Sequence, residues 1–187
     1  MTVVYFIRHA EPDFSNHDDR TRGLSEKGMA DRERVTAYLK DKKIDAVLSS
    51  PYLRAVQTVE HYAKGAGLEV ILHEGFRERR ITDRWIDDFA DFCRKQWDDF
   101  AYKYPDGENL YEVQTRNISA LNEVLRRFCG KSIVIGTHGT SLATIINFYD
   151  SHYDFDDFNR LRPKMPYGIK MVFHGFNLVA KEEFDII

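Results

Sequence analysis

No stretch of this chain approaches the roughly 20 consecutive apolar residues that a membrane-spanning helix requires, although 43% of its 187 residues are hydrophobic. A signal peptide is equally hard to find. Met1 leads straight into a strand-like run without a basic n-region, and Arg8 and His9 interrupt that run too early for an apolar h-region. A soluble protein of the cytoplasm is expected. The two cysteines, Cys93 and Cys129, are far apart and have no short metal-ligand spacing, so they read as free thiols or buried small hydrophobes and suggest no disulfide framework. A formal net charge of -3 offers no basic face for nucleic acid or an acidic membrane.

Several cofactor motifs are also missing. Gly130, Lys131 and Ser132 end like a P-loop, but Leu125 stands where the first glycine is needed and a strand follows instead of preceding. Asp99 and Ile135 occupy the arginine position of a Cys-x5-Arg phosphatase loop. Asp150, His152, Asp154 and Asp156 alternate like metal ligands, yet Phe155 and Leu161 replace the EF-hand glycine and terminal carboxylate. No metal or cofactor is expected.

Apolar, β-branched runs alternating with helical patterns predict βαβ units, and hence a three-layer α/β/α sandwich with a mostly parallel sheet in one domain over residues 1–187. Strands are predicted at Val3 to Ile7, Ile44 to Leu48, Leu68 to Leu72 and Ser132 to Thr137. Two more lie near Ile169 to Phe173 and Asn177 to Lys181, and their hairpin-like spacing makes at least one antiparallel. A first helix capped by Ser25 should end near Lys42, and a second should start with Ser50 as cap and Pro51 in its first turn. A long helix with Ile118, Leu121, Leu125 and Phe128 on one face ends at Gly130, and a short one follows Ser141. The loop from Asp150 to Asp157 reads as irregular. Residues 83–110, rich in aspartate and aromatics, read as a helical insertion over the sheet's edge that could form a lid. Arg77, Arg79, Arg80 and Arg84, followed by Asp87, Asp88 and Asp91, read as a solvated face of mixed charge.

His9 and His138 each follow a strand-like run, so both should emerge at the carboxyl end of the sheet, where open α/β folds bind ligands. Either histidine alone reads as a structural residue; together with Arg8 and Arg54 they form a cationic cradle. Arginine grips two phosphate oxygens at once. Backbone N–H groups at the start of the second helix and around Gly139 are expected to add donors. Flanking Arg8 and Arg54 should keep the His9 imidazole neutral, and therefore nucleophilic. Glu78 is the expected proton donor, because an adjacent phosphate dianion favours its acid form.

These residues resemble the histidine phosphatase, or phosphoglycerate mutase-like, superfamily. Arg8, His9, Ala10 and Glu11 are similar to its opening Arg-His-Gly-Glu pattern; Leu24, Ser25 and Gly28 to its Leu-Ser/Thr-x-x-Gly element; and Ser49, Pro51, Arg54, Ala55, Gln57 and Thr58 to its Ser-x-x-x-Arg-Ala-x-Gln-Thr segment. Arg77 and Glu78 stand at its acid motif, Trp85 at an aromatic position, and Pro105, Gly107, Glu108 and Arg116 at its Pro-x-Gly-Glu segment and downstream arginine. His138 and Gly139 complete the set. The resemblance implies His9 as the phosphorylated nucleophile, Arg8, Arg54, His138 and Gly139 as the phosphate pocket, and Glu78 as the acid. Ser15, Arg22 and Gly23 are expected to contact substrate. Ala10, Pro12, Ser15 and Asn109 depart from the family pattern, and Ala10 is harmless if its φ is negative.

A phosphatase acting on phosphomonoesters of small metabolites is the leading expectation. Phosphoglycerate mutase-type transfer is the alternative, less favoured because the insertion is short and acidic. A noncatalytic phospho-ligand binding module is a third, opposed by the intact His9, Arg8, Arg54 and His138. The run Tyr102, Lys103, Tyr104, Pro105 is similar to a segment of fructose-2,6-bisphosphatases, with Lys103 in place of an arginine.

Overall fold

Successive residues of the central strands point to opposite faces, as a pleated strand requires, and each set meets its own helical layer. In β1 (Thr2–Arg8), Val4 and Phe6 join one apolar cluster while Tyr5 and Ile7 join the other. The strand β4 (Ser132–Thr137) divides Ile133 and Ile135 from Val134 in the same way. This division produces the three layers. Between them in sequence lie β2 (Ala46–Ser49) and β3 (Val70–Leu72), and after them β5 (Tyr167–His174) and β6 (Asn177–Asp185). The computed structural model, which describes residues 1–84 and 86–186, arranges these strands in the order β3-β2-β4-β1-β5-β6. The pairings among β1 to β4 are parallel, whereas β5 runs antiparallel to both β1 and β6, as the hairpin spacing predicted.

One face is covered by α1 (Glu26–Leu39) and α2 (Leu53–Gly65), which bury Val35, Leu39, Val59 and Tyr62. The other carries α3 (Phe89–Asp98), α4 (Leu110–Arg127), α5 (Gly139–Tyr149) and α6 (Phe155–Leu161) over Phe6, Ile133 and Ile135. Leu39 and Leu121, both fully buried, anchor the two layers; truncating either to alanine costs about 2–5 kcal/mol. Ser25 caps α1 by accepting from the Gly28 N–H. Gly28 has a packing reason, since a Cβ there would lie 2.1 Å from the Glu11 carbonyl oxygen. A Cβ at Gly107 would lie 2.0 Å from the Ile81 carbonyl oxygen. Both glycines let one backbone approach another.

Several boundaries differ from expectation. The strands β2 and β3 start two residues later, at Ala46 and Val70, and β6 extends to Asp185. The helix α1 stops at Leu39, where its apolar stripe ends. The second helix starts at Leu53 with Tyr52 as N-cap; Ser50 and Pro51 form the turn before it, and Ser50 Oγ accepts from the Tyr52 N–H at 3.2 Å. Arg54 stays in its first turn. The helix α5 begins at Gly139 instead of beyond Ser141. The last three residues of the aspartate-rich loop are helical, because Asp154 and Asp157 build a capping box for α6.

That helix is the partner of α3: Trp97 stacks on Phe158 at 5.7 Å, and Phe92, Cys93 and Trp97 are buried. The arginine cluster is only partly a solvated face: Arg80 and Arg84 are exposed, as are Asp87, Asp88 and Asp91, but Arg77 and Arg79 turn inward. Arg79 is 3% exposed and bonds to Gln96, and Arg77 forms a two-pronged bridge to Glu108, which Arg116 also holds. Cys129 is exposed and both cysteines are free. Lys103 pairs with Glu112 at the surface. Trp85, assigned to a family aromatic position, lies outside the described residues. Among the described residues, no helix is long and apolar enough to cross a membrane.

Candidate active site

Parallel pairing of β1 with β4 places Arg8 opposite Thr137, so the residues that follow, His9 and His138, leave the sheet side by side. Their ring centroids are 5.2 Å apart in an edge-to-face arrangement, and both residues are buried. The His9 N–H donates to the Thr137 carbonyl at 3.0 Å, which fixes the strand end. His9 Nδ1 lies 2.7 Å from the Ala10 carbonyl oxygen. A carbonyl only accepts, so Nδ1 carries the ring proton and Nε2 keeps the lone pair. Burial holds His9 well below its ordinary pKa of 6.5, and the Arg54 and Arg8 charges push the same way. The imidazole is therefore neutral near pH 7. Desolvation is the larger cause, whereas the sequence pointed to the arginines.

Burial, then the charge on Arg54, lowers His138 as well. Its Nε2 is 2.7 Å from Ser50 Oγ, its ring meets Tyr52 edge-on, and its Nδ1 is buried without a hydrogen-bond partner among the described residues. Ala10 has no positive φ, and its N–H donates to Thr58 Oγ1 at 3.0 Å, so alanine fits where the family pattern has glycine.

Arg54 sits with its side chain 4% exposed. Its Nε donates to His9 Nε2 at 3.3 Å, Nη1 to the Asp19 carbonyl at 2.5 Å, and Nη2 lies 3.0 Å from Asp19 Oδ1. Arg8 has another duty besides any ligand. Its Nη1 donates to the carbonyls of Leu161, Arg162 and Lys164 at 2.7–2.9 Å, closing the carboxyl end of α6, while its buried Nε has no hydrogen-bond partner among the described residues.

Glu78 reaches the same place from beyond β3. Its Oε2 accepts from the Thr140 N–H at 3.1 Å, and Oε1 accepts from the N–H groups of Ser141 and Arg79 at 3.2 and 2.7 Å. It thus braces the first turn of α5, whose N–H groups attract a carboxylate.

Most of the backbone donors expected for a ligand are already engaged. Leu53 and Arg54 N–H groups donate to the Arg20 and Arg22 carbonyls, and those after Gly139 donate to Glu78. Gly139 itself adjoins Arg8, since a Cβ there would lie 3.3 Å from Arg8 Nε.

The structure brings His9, His138, Arg8, Arg54, Glu78 and Gly139 together, but it treats the three loop residues differently. Ser15 is exposed and turns back on Asp13, which accepts from both its N–H and its hydroxyl. Arg22 is tucked in and donates to the carbonyls of Asn16 and His17. Gly23 abuts the Gln57 side chain. Asp19, Ser50 and Tyr52 were not singled out from the sequence as site residues. Cavities of about 280 Å³ beside His73 and Arg116 and about 220 Å³ beside Lys164 and Pro166 include neither site histidine.

The profile of branch 1 of the histidine phosphatase superfamily matches residues 4–168. An uncharacterized phosphatase, PhoE, of Bacillus subtilis (strain 168) is 26% identical over 151 residues, covering 78% of this chain and 76% of its own. A probable phosphoglycerate mutase, GpmB, of Cronobacter sakazakii is 29% identical over 160 residues, with 79% and 74% covered. Among solved structures, Bacillus stearothermophilus YhfR superposes with a TM-score of 0.79 at 23% identity, covering 96% of this chain and 95% of its own. That likeness establishes the fold.

Proposed function

Because the chain belongs to branch 1 of the histidine phosphatase superfamily, we propose that it hydrolyses phosphomonoesters of small metabolites through a phosphohistidine on His9. The observation that carries this reading is the His9 ring: Nδ1–H is spent on the Ala10 carbonyl, and the Nε2 lone pair faces Arg54 in a buried site. In the first step Nε2 attacks phosphorus, the ester P–O bond breaks, and the leaving oxygen takes a proton from Glu78 in its acid form. In the second step water attacks the phosphohistidine, Glu78 takes a proton from that water, and phosphate leaves His9 free. Arg8, Arg54, His138 and Gly139 hold the phosphoryl oxygens, where charge stabilisation supplies most of the catalysis. Residues 1–187 act as one domain, 83–110 serve as its lid, and Arg22 and Gly23 line the entrance.

The relative named as a probable mutase supports a second reading, in which the phosphoryl group passes to another hydroxyl instead of to water. A panel of phosphorylated metabolites, run with and without a bisphosphoglycerate primer, separates the two: hydrolysis needs no primer. For the covalent step, an aryl phosphate is expected to leave an acid-labile phosphoenzyme that His9→Ala abolishes, together with at least about a thousandfold of turnover. No phosphoenzyme and no turnover between pH 5 and 8 would remove the enzymatic reading.

A further inference from the structure

Every nitrogen of Arg54 is occupied, and two of the three face Asp19. The carboxylate oxygen Asp19 Oδ1 lies 3.0 Å from Arg54 Nη2 and 3.3 Å from Arg22 Nη1, so one anionic oxygen sits between two guanidinium groups, and the Arg54 group that holds it also donates its Nε to His9 Nε2. A bridging phosphoryl oxygen would make the same contacts. The backbone around it is tied down independently, by the Leu53 and Arg54 N–H groups on the carbonyls of Arg20 and Arg22. The side chain is free to leave, being 43% exposed, whereas the Arg54 side chain is 4% exposed.

We propose that the Asp19 carboxylate stands in the place of a phosphoryl group on Arg54 and Arg22, and that a phosphoryl group binds by displacing it while residues 20 and 22 stay anchored. Arg54 Nη2 and Arg22 Nη1 then pass from the carboxylate to the phosphoryl oxygens, which makes Arg22 a phosphate ligand in the occupied state. A tethered carboxylate competes at high effective concentration, and it cannot remain beside a phosphate dianion without strong like-charge repulsion. Weakly held anions are thereby kept off Arg54. The proposal rests on the phosphatase reading of His9, and the experiment separates the two.

Inorganic phosphate binding is measured by calorimetry on the full chain, for wild type, Asp19→Asn and Asp19→Ser, with thermal melts to verify folding. Removing the tethered anion is expected to tighten phosphate by about two- to tenfold, from the modest strength of a partly exposed pair. Unchanged or weaker binding in folded variants overturns the displacement and leaves the phosphatase reading intact. Failure of all three proteins to bind phosphate removes both. A crystal structure of wild type with bound vanadate supplies a readout independent of any variant. Asp19 is expected swung out, with Arg54 Nη2 and Arg22 Nη1 on vanadate oxygens; a carboxylate still on Arg54 beside bound vanadate overturns the inference.

Discussion

The strand-end histidines and the loop from Pro12 to Gly23 border one site, yet they are held by different means. His9 and His138 are buried, follow paired strands, and have their orientation set by a carbonyl and a serine hydroxyl. The loop is secured mainly by its own turns, with Asp13, Asp18 and Asn16 side chains accepting nearby N–H groups at the surface. In the proposed reaction the rigid framework places the reacting nitrogen, and the adaptable loop faces the incoming ligand. This division suits a phosphoryl-transfer site, because the nucleophile must be aimed to within a fraction of an ångström while the surroundings need only admit and release a substrate.

Four measurements would break or sharpen that contrast. The largest effect is expected at Arg54, where replacement by alanine removes both the phosphate fork and the partner of His9 Nε2; kcat/KM should fall by about 10³-fold. A drop below about tenfold would put the anion elsewhere. Glu78→Gln should slow esters with poor leaving groups by about 10²-fold while sparing activated aryl phosphates. Equal losses on both would deny Glu78 the proton.

Acid should act on the framework through stability. Both site histidines lie well below 6.5 when folded and titrate near that value when unfolded, so the unfolded chain binds more protons as pH drops below 6.5. Their contribution is complete above 6.5 and declines beneath it, by up to about 1.4 kcal/mol per pH unit for each histidine. Denaturant melts at pH 7 and 5.5 should show this, with a shallower slope in His138→Gln. The smallest effect belongs to the loop: Ser15→Ala should change stability by less than about 0.5 kcal/mol, and a larger change in either stability or kcat/KM would show that its hydroxyl does more than bond Asp13.

What could be read from the chain depended on how local the cause was. The strands β1 and β4 are legible because their central residues, Val3 to Ile7 and Ile133 to Ile135, form short uninterrupted apolar, β-branched-rich runs that need no partner to be seen. The α1 cap and the Gly28 motif lie within a few residues of each other. By contrast, Ser50 has the composition of a helix cap but is engaged by His138, 88 residues away, and so the start of α2 shifts. The helix α6 hides among aspartates that look like a solvated loop until Phe158 meets Trp97. Asp19 was invisible for the same reason: its partner Arg54 is 35 residues distant, and no spacing rule joins them. The candidate histidines and arginines stand out because their motifs occur in order, whereas the side chains that restrain them leave no local signal.

Arg8 links chemistry to architecture. One guanidinium nitrogen ties off the end of α6, the helix on which Trp97 of α3 rests, so in the proposed reading occupancy of the anion pocket and the seating of the proposed lid share a single side chain. Substituting Arg8 should therefore register twice, as weaker phosphate affinity and as a loosened indole environment, and Trp97 becomes a built-in optical gauge of a pocket it never touches.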